Sequence, residues 1–446
     1  MKEQEIRTQH QGQNLTQPGG EAKGSAAADL WQSISDEIQE RAVSFSPKLP
    51  DLVCFSHLRW DFVYQRPQHL LSRCARERRV FFVEEPVFDG ATPELEISRR
   101  DDGLWVVVPH LPRGLDENQV AALQQSLLLD DLFLARNITN YILWYYTPMA
   151  LGFTRHLEPL TIIYDCMDEL SAFRGAPPNL RQLEAELLEI ADVVFTGGYS
   201  LYEAKSGRHR NVHPFPSSID GAHFRKARVI RVEPEDQVAI AHPRIGFCGV
   251  IDERMNLQLI GELADRRPDW QLVMIGPVVK IDPAELPRRA NIHYLGCKQY
   301  QELPAYLSGW EVAMLPFALN ESTRYISPTK TPEYLAAGLP AVSTSINDVV
   351  HPYGQQGLLK IADTGAEFVK AIEFLLGEEF DRAEWLAQVD KMLAFNCWDR
   401  TWSRMMNLVE MSVQRRRPEV VAPESLAGSP LPPIRNHPRI SPSTAD

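Results

Sequence analysis

No pair among the six cysteines of this 446-residue chain has CxxC spacing, so neither a zinc site nor a redox dithiol is signalled. Cys54, Cys74, Cys166, Cys248, Cys297 and Cys397 stand singly, several of them in or beside apolar runs where a free thiol behaves as a small hydrophobe. A reducing compartment is the natural expectation. No stretch approaches the roughly 18 consecutive apolar residues that a spanning helix needs. The polar start Met1-Lys2-Glu3-Gln4-Glu5 has no apolar core, so no secretory leader is expected. The Asn-x-Ser/Thr triplets at Asn14, Asn137 and Asn320 then read as chance. Positive charge is also short: 46 Lys and Arg against 59 Asp and Glu leave a net charge of −13. That balance argues against a general nucleic-acid binder, though not against a small anion held by a few local cations. Neither GxGxxG nor GxxxxGK[ST] occurs, so the dinucleotide fingerprint and the P-loop are both missing. A soluble, cytoplasmic protein is expected.

The apolar fraction of 44% and charged fraction of 24% suit an ordinary globular body. The first 48 residues are rich in Gln, Gly, Ala and Ser, and the last 29, from Pro418, in Pro, Ser and Arg. What remains suits two domains of about 185 residues each. Candidate strands are the apolar runs 52–55, 80–83, 105–108, 141–145, 161–164 and 193–195, and then 245–248, 272–275, 292–295, 312–315 and 341–343. Helical patterns fall between them, at 68–78, 118–135, 180–190 and 256–266, and from 366 to 413. Continuous apolar strands between amphipathic helices mean parallel sheets covered on both faces. The expected fold class is α/β, with two Rossmann-like domains facing across a cleft. The expected limits are a flexible tail at 1–48, domains at 49–228 and 229–415, and a disordered tail at 416–446, with a linker near 225–242. Leu30, Ile34 and Ile38 recur every four residues, as in a short helix that either docks or frays.

The strongest local signal is the run Ser327-Pro328-Thr329-Lys330-Thr331-Pro332-Glu333-Tyr334-Leu335-Ala336-Ala337-Gly338-Leu339-Pro340. Thr331 suits an N-cap and Pro332 the first helical position, while Gly338 suits the helix end. Such a unit offers free backbone N–H groups, Ser327, Thr329 and Lys330 at one spot, which suits a phosphate. Glu333 can accept from two ribose hydroxyls or merely complement the helix dipole.

The two-domain layout with this unit resembles the GT-B glycosyltransferases, bacterial enzymes of teichuronic acid biosynthesis in particular. The resemblance covers most of residues 51–412. It is carried by the Ser327–Pro340 unit, by Phe55-Ser56-His57-Leu58-Arg59-Trp60-Asp61-Phe62-Val63-Tyr64-Gln65-Arg66-Pro67-Gln68-His69-Leu70, and by Tyr164-Asp165-Cys166-Met167-Asp168-Glu169. It implies that the C-terminal domain binds a nucleotide-sugar donor and the N-terminal domain the acceptor. It implies Glu333 on the ribose, with Lys330 and Arg254 on the diphosphate. It implies no metal and no cofactor beyond the nucleotide-sugar substrate. Many retaining members carry a Glu eight residues before the ribose Glu, where this chain has Tyr325. The retaining mechanism therefore does not carry over.

Other segments add candidates. Gly249, in Gly246-Phe247-Cys248-Gly249-Val250-Ile251-Asp252-Glu253-Arg254, follows a strand and either admits a phosphate or serves tight packing. The polar and aromatic density of residues 56–69 is poor core material and suits sugar recognition, with Arg59, Trp60, Tyr64, Gln65 and Arg66 as acceptor contacts. Arg66 can alternatively pair with a carboxylate, and His69 can be a satisfied core histidine. Asp165 and Asp168 close a strand at its carboxyl end, where one could deprotonate an acceptor hydroxyl; His57 and Asp61 compete for that role. Arg73, Arg76, Arg78 and Arg79 fit either a solvated helix face or contact with an anionic membrane or lipid-linked acceptor. The expected activity is transfer of a sugar from a nucleotide-diphosphate donor to a cell-surface polysaccharide or glycolipid precursor, at or near the inner face of the membrane. A sugar-nucleotide epimerase and a non-catalytic partner in glycan assembly are the alternatives.

Overall fold

The computed structural model describes residues 49–90 and 92–416. The expected tails, apart from Arg416, and the helix drawn through Leu30, Ile34 and Ile38 lie outside these residues.

The first sheet holds β1 (Asp51–Phe55), β2 (Val80–Val83), β3 (Glu94–Arg99), β4 (Trp105–His110), β5 (Tyr141–Tyr145), β6 (Ile162–Cys166), β7 (Val193–Thr196) and β8 (Val212–Pro214). Their order is β3-β4-β2-β1-β5-β6-β7-β8. The second holds β9 (Arg244–Cys248), β10 (Gln271–Ile275), β11 (Ile292–Gly296), β12 (Val312–Leu315), β13 (Ala341–Ser343) and β14 (Lys360–Ile361), in the order β11-β10-β9-β12-β13-β14. The second sheet has the doubly wound Rossmann order, and the first repeats it with extra edge strands.

The cause is visible in β1. Its Leu52 and Cys54 pack on one side, with Leu70, Leu71 and Cys74 of the Arg66–Cys74 helix. Its Val53 and Phe55 pack on the other, with Leu128, Leu183 and Leu187. A strand with two buried faces has to be apolar throughout.

Three strands escape the sequence pattern. Glu94–Arg99, reading Glu-Leu-Glu-Ile-Ser-Arg, pairs antiparallel with β4 at the sheet edge. Its alternation of charged and apolar side chains suits one covered face, unlike the parallel core. β8 and β14 are short edge pieces of three and two residues. The pattern at 118–135 is also two elements, the Glu117–Leu127 helix and a π-helical turn over Leu128–Leu134.

The domain limits differ from expectation at both crossings. Ile219, Phe224 and Ala227 already belong to the second core, whereas Phe215 belongs to the first. The Trp398–Arg416 helix, expected with the second domain, packs Trp398, Met405, Met406 and Val409 into the first. Arg73 Nε lies 2.7 Å from Asp399 Oδ1, and Arg416 Nε 2.7 Å from Asp192 Oδ1. An amphipathic stripe says that a helix covers something, not which of two sheets it covers.

Candidate functional site

Two adjoining cavities lie between the sheets, lined by residues that follow strand ends in both. One, of about 410 Å³, is lined by Trp60, Asp61 and Tyr64 on one side and Gly249, Gly276, Tyr300 and Lys330 on the other. The second, of about 160 Å³, sets Gln65 and Asp168 opposite Arg254, Ser327, Thr329 and Lys330. Val63, Tyr64, Gly249, Val250 and Lys330 belong to both walls. Carboxyl ends of parallel strands converge here, as expected of ligand sites in this architecture.

On the second domain's side the helix spans Lys330–Ala337, with Gly338 at φ +78° as its left-handed C-cap. The helix begins before the expected Thr331 cap. Thr331 lies inside it, with Oγ1 buried and without a hydrogen bond. Lys330 Nζ reaches Glu333 Oε2 at 2.5 Å. Burial pushes the Glu333 carboxyl up, against the neighbouring Lys330 ammonium. For Lys330 burial works downward, but the attraction of Glu333 and Cys248 outweighs it and holds the ammonium above its ordinary value. The two proposed donor contacts are thus partners of one another, one lining the cleft and one behind it.

Gly249 lines both cavities, yet the position that demands glycine is Gly276, at φ +142°, where a Cβ would fall 1.8 Å from the Gly249 carbonyl oxygen. The loops after β9 and β10 therefore touch backbone to backbone. Arg254 grips Asp252 with two bonds of 3.0 and 2.7 Å and stands 5.6 Å from the ring centroid of Phe173, in the first domain.

On the first domain's side the loop after β1 is partly structural. Arg66 and Asp165 form a core ion pair, Nη2 to Oδ1 at 2.8 Å, and Arg66 Nη1 also donates to the Phe215 carbonyl at 2.6 Å. Both side chains are at most 2% exposed. This corrects the expectation that Asp165 is a base, since its carboxylate is fully buried against Arg66; Arg66, although it lines the smaller cavity, is committed mainly to this pair and to Phe215 rather than held out as an acceptor contact. Trp60 packs into the first core and donates its backbone N–H to Glu84 Oε1 at 2.8 Å. Arg59 pairs with Glu84 at 2.8 Å, and Asp61 at the rim pairs with Arg100 at 2.7 Å. Gln65 is the N-cap of the Arg66–Cys74 helix, its backbone N–H donating to Gln68 Oε1 at 3.0 Å, and it lines the smaller cavity. Tyr64 meets Tyr300 across the cleft, with ring centroids 4.7 Å apart and planes tilted by 31°.

Asp168 differs from Asp165. It lines the smaller cavity and makes no side-chain hydrogen bond among the described residues. Burial pushes its carboxyl up, opposed by Arg254 and Lys280 and reinforced by Asp252. His57 is brought down to about 4, by burial first and by Lys280, although a bond with the Tyr146 backbone works the other way. It is therefore neutral at pH 7, with Nδ1 unpartnered.

Lys280 escaped the sequence reading. It sits at φ +61° and 5.0 Å from the Phe173 ring, within electrostatic range of both His57 and Asp168. A lone lysine in Val278-Val279-Lys280-Ile281 carries no motif; only a left-handed non-glycine backbone marks it, and that is invisible in sequence.

The basic run near residue 73 forms no free cationic face: Arg73 and Arg76 share Asp399, and Arg79 pairs with Asp51. Among the described residues no helix is long and apolar enough to cross a membrane, and no cluster of three or more His, Cys, Asp or Glu could hold a metal ion.

Residues 242–378 match the family described as Glycosyl transferases group 1. Over 297 residues the chain is 25% identical to the "Putative teichuronic acid biosynthesis glycosyltransferase TuaH" of Bacillus subtilis (strain 168), covering 61% of this chain and 73% of that protein. Its fold is similar to sucrose-phosphate synthase from Thermosynechococcus elongatus, with a TM-score of 0.62 at 13% identity over 82% of this chain and 100% of the other. It is also similar to the catalytic domain of starch synthase IV from Arabidopsis thaliana bound to ADP and acarbose, with a TM-score of 0.58 at 10% identity over 82% and 100%.

Proposed function

Since this chain is a glycosyltransferase, with a group 1 domain over residues 242–378 inside a GT-B fold, we propose that it extends a cell-envelope polysaccharide or glycolipid precursor on the cytoplasmic side. The carrying observation is the smaller cavity, where Lys330, Arg254, Ser327 and Thr329 of one domain face Asp168 of the other. The donor diphosphate lies against Lys330, Arg254 and the N–H groups at the start of the Lys330–Ala337 helix. These groups are fixed before reaction and meet the charge that develops on the leaving phosphate. Glu333 holds Lys330 with one carboxylate oxygen and offers the other to the ribose. Asp168 takes the proton of the acceptor hydroxyl as it attacks the anomeric carbon; a carboxyl raised by burial is suited to that task. Should Asp168 not serve, neutral His57 is the next group in line. The likeness to the Bacillus subtilis protein supports a cell-envelope acceptor, and six free cysteines support a reducing compartment.

The test is mass spectrometry of the protein incubated with a panel of nucleotide sugars and candidate acceptors. A glycosylated acceptor with release of the nucleotide is expected. Conversion of the donor without any acceptor would make the chain an epimerase. Donor binding with no turnover in the presence of the whole acceptor panel would make it a non-catalytic partner.

A further inference from the structure

The chain passes between the domains twice. Phe215 belongs to the first core and Ile219 to the second; Leu393 belongs to the second and Trp398 to the first. Ser218 at the first crossing and Thr401 beside the second share a hydroxyl–hydroxyl hydrogen bond of 2.5 Å. A cavity of about 720 Å³ lies against both crossings, with Phe215 and Ser218 from one and Asn396 and Thr401 from the other in its wall. Rotation of one domain against the other is absorbed at such crossings, so this cavity changes shape when the cleft opens. It also touches the donor side, because Ser217, Ser327 and Pro328 line both it and the smaller cleft cavity.

Charge decides what it takes. The chain carries −13 overall, yet this lining has an excess of cations. Arg400 and Arg404 are four residues apart on the Trp398–Arg416 helix and so share a face. Neither has an ion-pair or hydrogen-bond partner among the described residues. Each guanidinium stands over a ring of the same wall, Arg400 5.1 Å from the Phe395 centroid and Arg404 5.2 Å from that of Phe215. Ring contact leaves the N–H edge of a guanidinium free, and that edge matches a phosphate. Asp348, the one carboxylate among the lining residues, pairs with neither arginine; its oxygens accept from the Tyr199 and Ser200 backbone N–H groups.

The rest of the wall describes the rest of the ligand. Phe215, Phe395, Met392 and Leu408 present apolar surface, and Phe395 is 75% exposed. The Asn396 and Asn407 carboxamides make no hydrogen bond among the described residues and can bond a polar substituent. A cavity of this size takes in a whole small molecule, which favours a soluble phosphate ester over a lipid headgroup.

We propose that this hinge cavity binds a phosphate monoester with an apolar or aromatic body, the phosphate between Arg400 and Arg404 and the body against Phe215, Phe395 and Leu408. Its occupancy ties the two crossings together, holds the cleft closed and tightens donor binding. Only the effect on the donor rests on the glycosyltransferase reading.

Phenyl phosphate is the probe, titrated into the full chain by calorimetry. Binding is expected, with phenol and inorganic phosphate each weaker by about tenfold or more. The Arg400→Gln, Arg404→Gln double variant loses two exposed, unpaired cations, so it is expected to keep its Tm and to bind phenyl phosphate at least about tenfold more weakly. Phenyl phosphate is expected to reduce the radius of gyration in small-angle scattering without any nucleotide present. It should also raise nucleoside diphosphate affinity about fivefold, and the nucleotide should raise phenyl phosphate affinity by the same factor. No binding, or undiminished binding in the folded double variant, would overturn the site. Inorganic phosphate binding as tightly as phenyl phosphate would mean an adventitious ion only. Capture by phosphatidylglycerol vesicles without binding of phenyl phosphate would replace the soluble ester by a lipid headgroup. Binding with unchanged scattering would overturn the closing role. Because scattering needs no donor, closure without any nucleotide binding would keep this site and count against the donor reading instead.

Discussion

Asp348, in the second domain, accepts hydrogen bonds from Ser200, in the first: its Oδ1 lies 3.0 Å from the Ser200 backbone nitrogen and 2.5 Å from Oγ. Its Oδ2 takes the Tyr199 backbone N–H at 2.8 Å, and Asn347 adds a bond of 2.7 Å to Ser200 Oγ. The carboxylate therefore sits in the N-terminus of the Tyr199–Ser206 helix and supplies the cap that helix lacks on its own side. Gly198 makes the approach possible, since a Cβ there would fall 2.1 Å from Asp348 Oδ2.

This contact closes the cleft from behind, because Ser327, beside Gly198, lines the donor cavity. A hydrogen bond to a charged group contributes about 1.5–3 kcal/mol, and the helix dipole adds about 0.3–1 kcal/mol. Asp348→Ala is expected to enlarge the radius of gyration in small-angle scattering and to raise the donor KM about tenfold. Asp348→Asn is expected to fall between it and the parent protein. Identical scattering and kinetics in all three would remove the domain-closing role.

Asp165 and Asp168 are three residues apart and differ in kind. Asp165→Asn leaves Arg66 buried without its countercharge, which should cost about 3–5 kcal/mol of stability. Asp168→Asn removes a carboxylate with no hydrogen-bond partner, so the fold should be unharmed while turnover falls on the order of 10²–10⁴-fold. Denaturant unfolding and steady-state rates on the two variants separate these outcomes. Full activity in a folded Asp168→Asn variant would move the base to His57.

What was legible in the sequence was local. The four-residue apolar core of β1 announces its burial, and Gly338 announces the end of its helix, because each depends on neighbours a few positions away. The partner of Arg66 lies 99 residues along the chain, and nothing in the loop distinguishes an arginine that points inward from one that meets a ligand. The same holds for Lys280 and Asp348, which carry no motif and gain meaning only from what the fold brings beside them. Thr331 shows the opposite error: a good capping residue type next to a proline, in a helix that starts earlier, where Thr329 already has helical backbone angles and the Thr331 N–H donates to the Pro328 carbonyl at 3.1 Å.

Lys330 and Glu333 should separate on substitution. Glu333→Ala removes both the ribose contact and the countercharge of Lys330, and nucleotide binding is expected to weaken by about 1.5–3 kcal/mol. Glu333→Gln keeps an acceptor for the ribose and should weaken binding less. Calorimetry with the nucleoside diphosphate provides the measurement. Unchanged affinity in the folded Ala variant would leave Glu333 only the role of complementing the helix dipole, and a loss of stability alone would say the same.

His69 makes folding sensitive to acid. Its ring stacks on Trp398 at 4.5 Å and meets Tyr64 and Tyr300 edge-on at 4.7 and 5.8 Å. Burial brings its pKa down from 6.5 to about 3, and the charges of Arg73, Lys330 and His223 act in the same direction. The unfolded chain takes up a proton at this residue near pH 6.5, whereas the folded chain does so only near pH 3. Through that window the unfolded state holds the extra proton, so stability falls as pH drops, by up to about 1.4 kcal/mol per pH unit for this one group. His69→Phe keeps a ring against Trp398 and removes the titration. Denaturant unfolding at about pH 7 and about pH 5 should show a smaller loss in the variant than in the parent, the carboxylates being common to both. Equal losses in the two proteins would mean that His69 takes up its proton within the folded structure and that the aromatic stack does not exclude the charge.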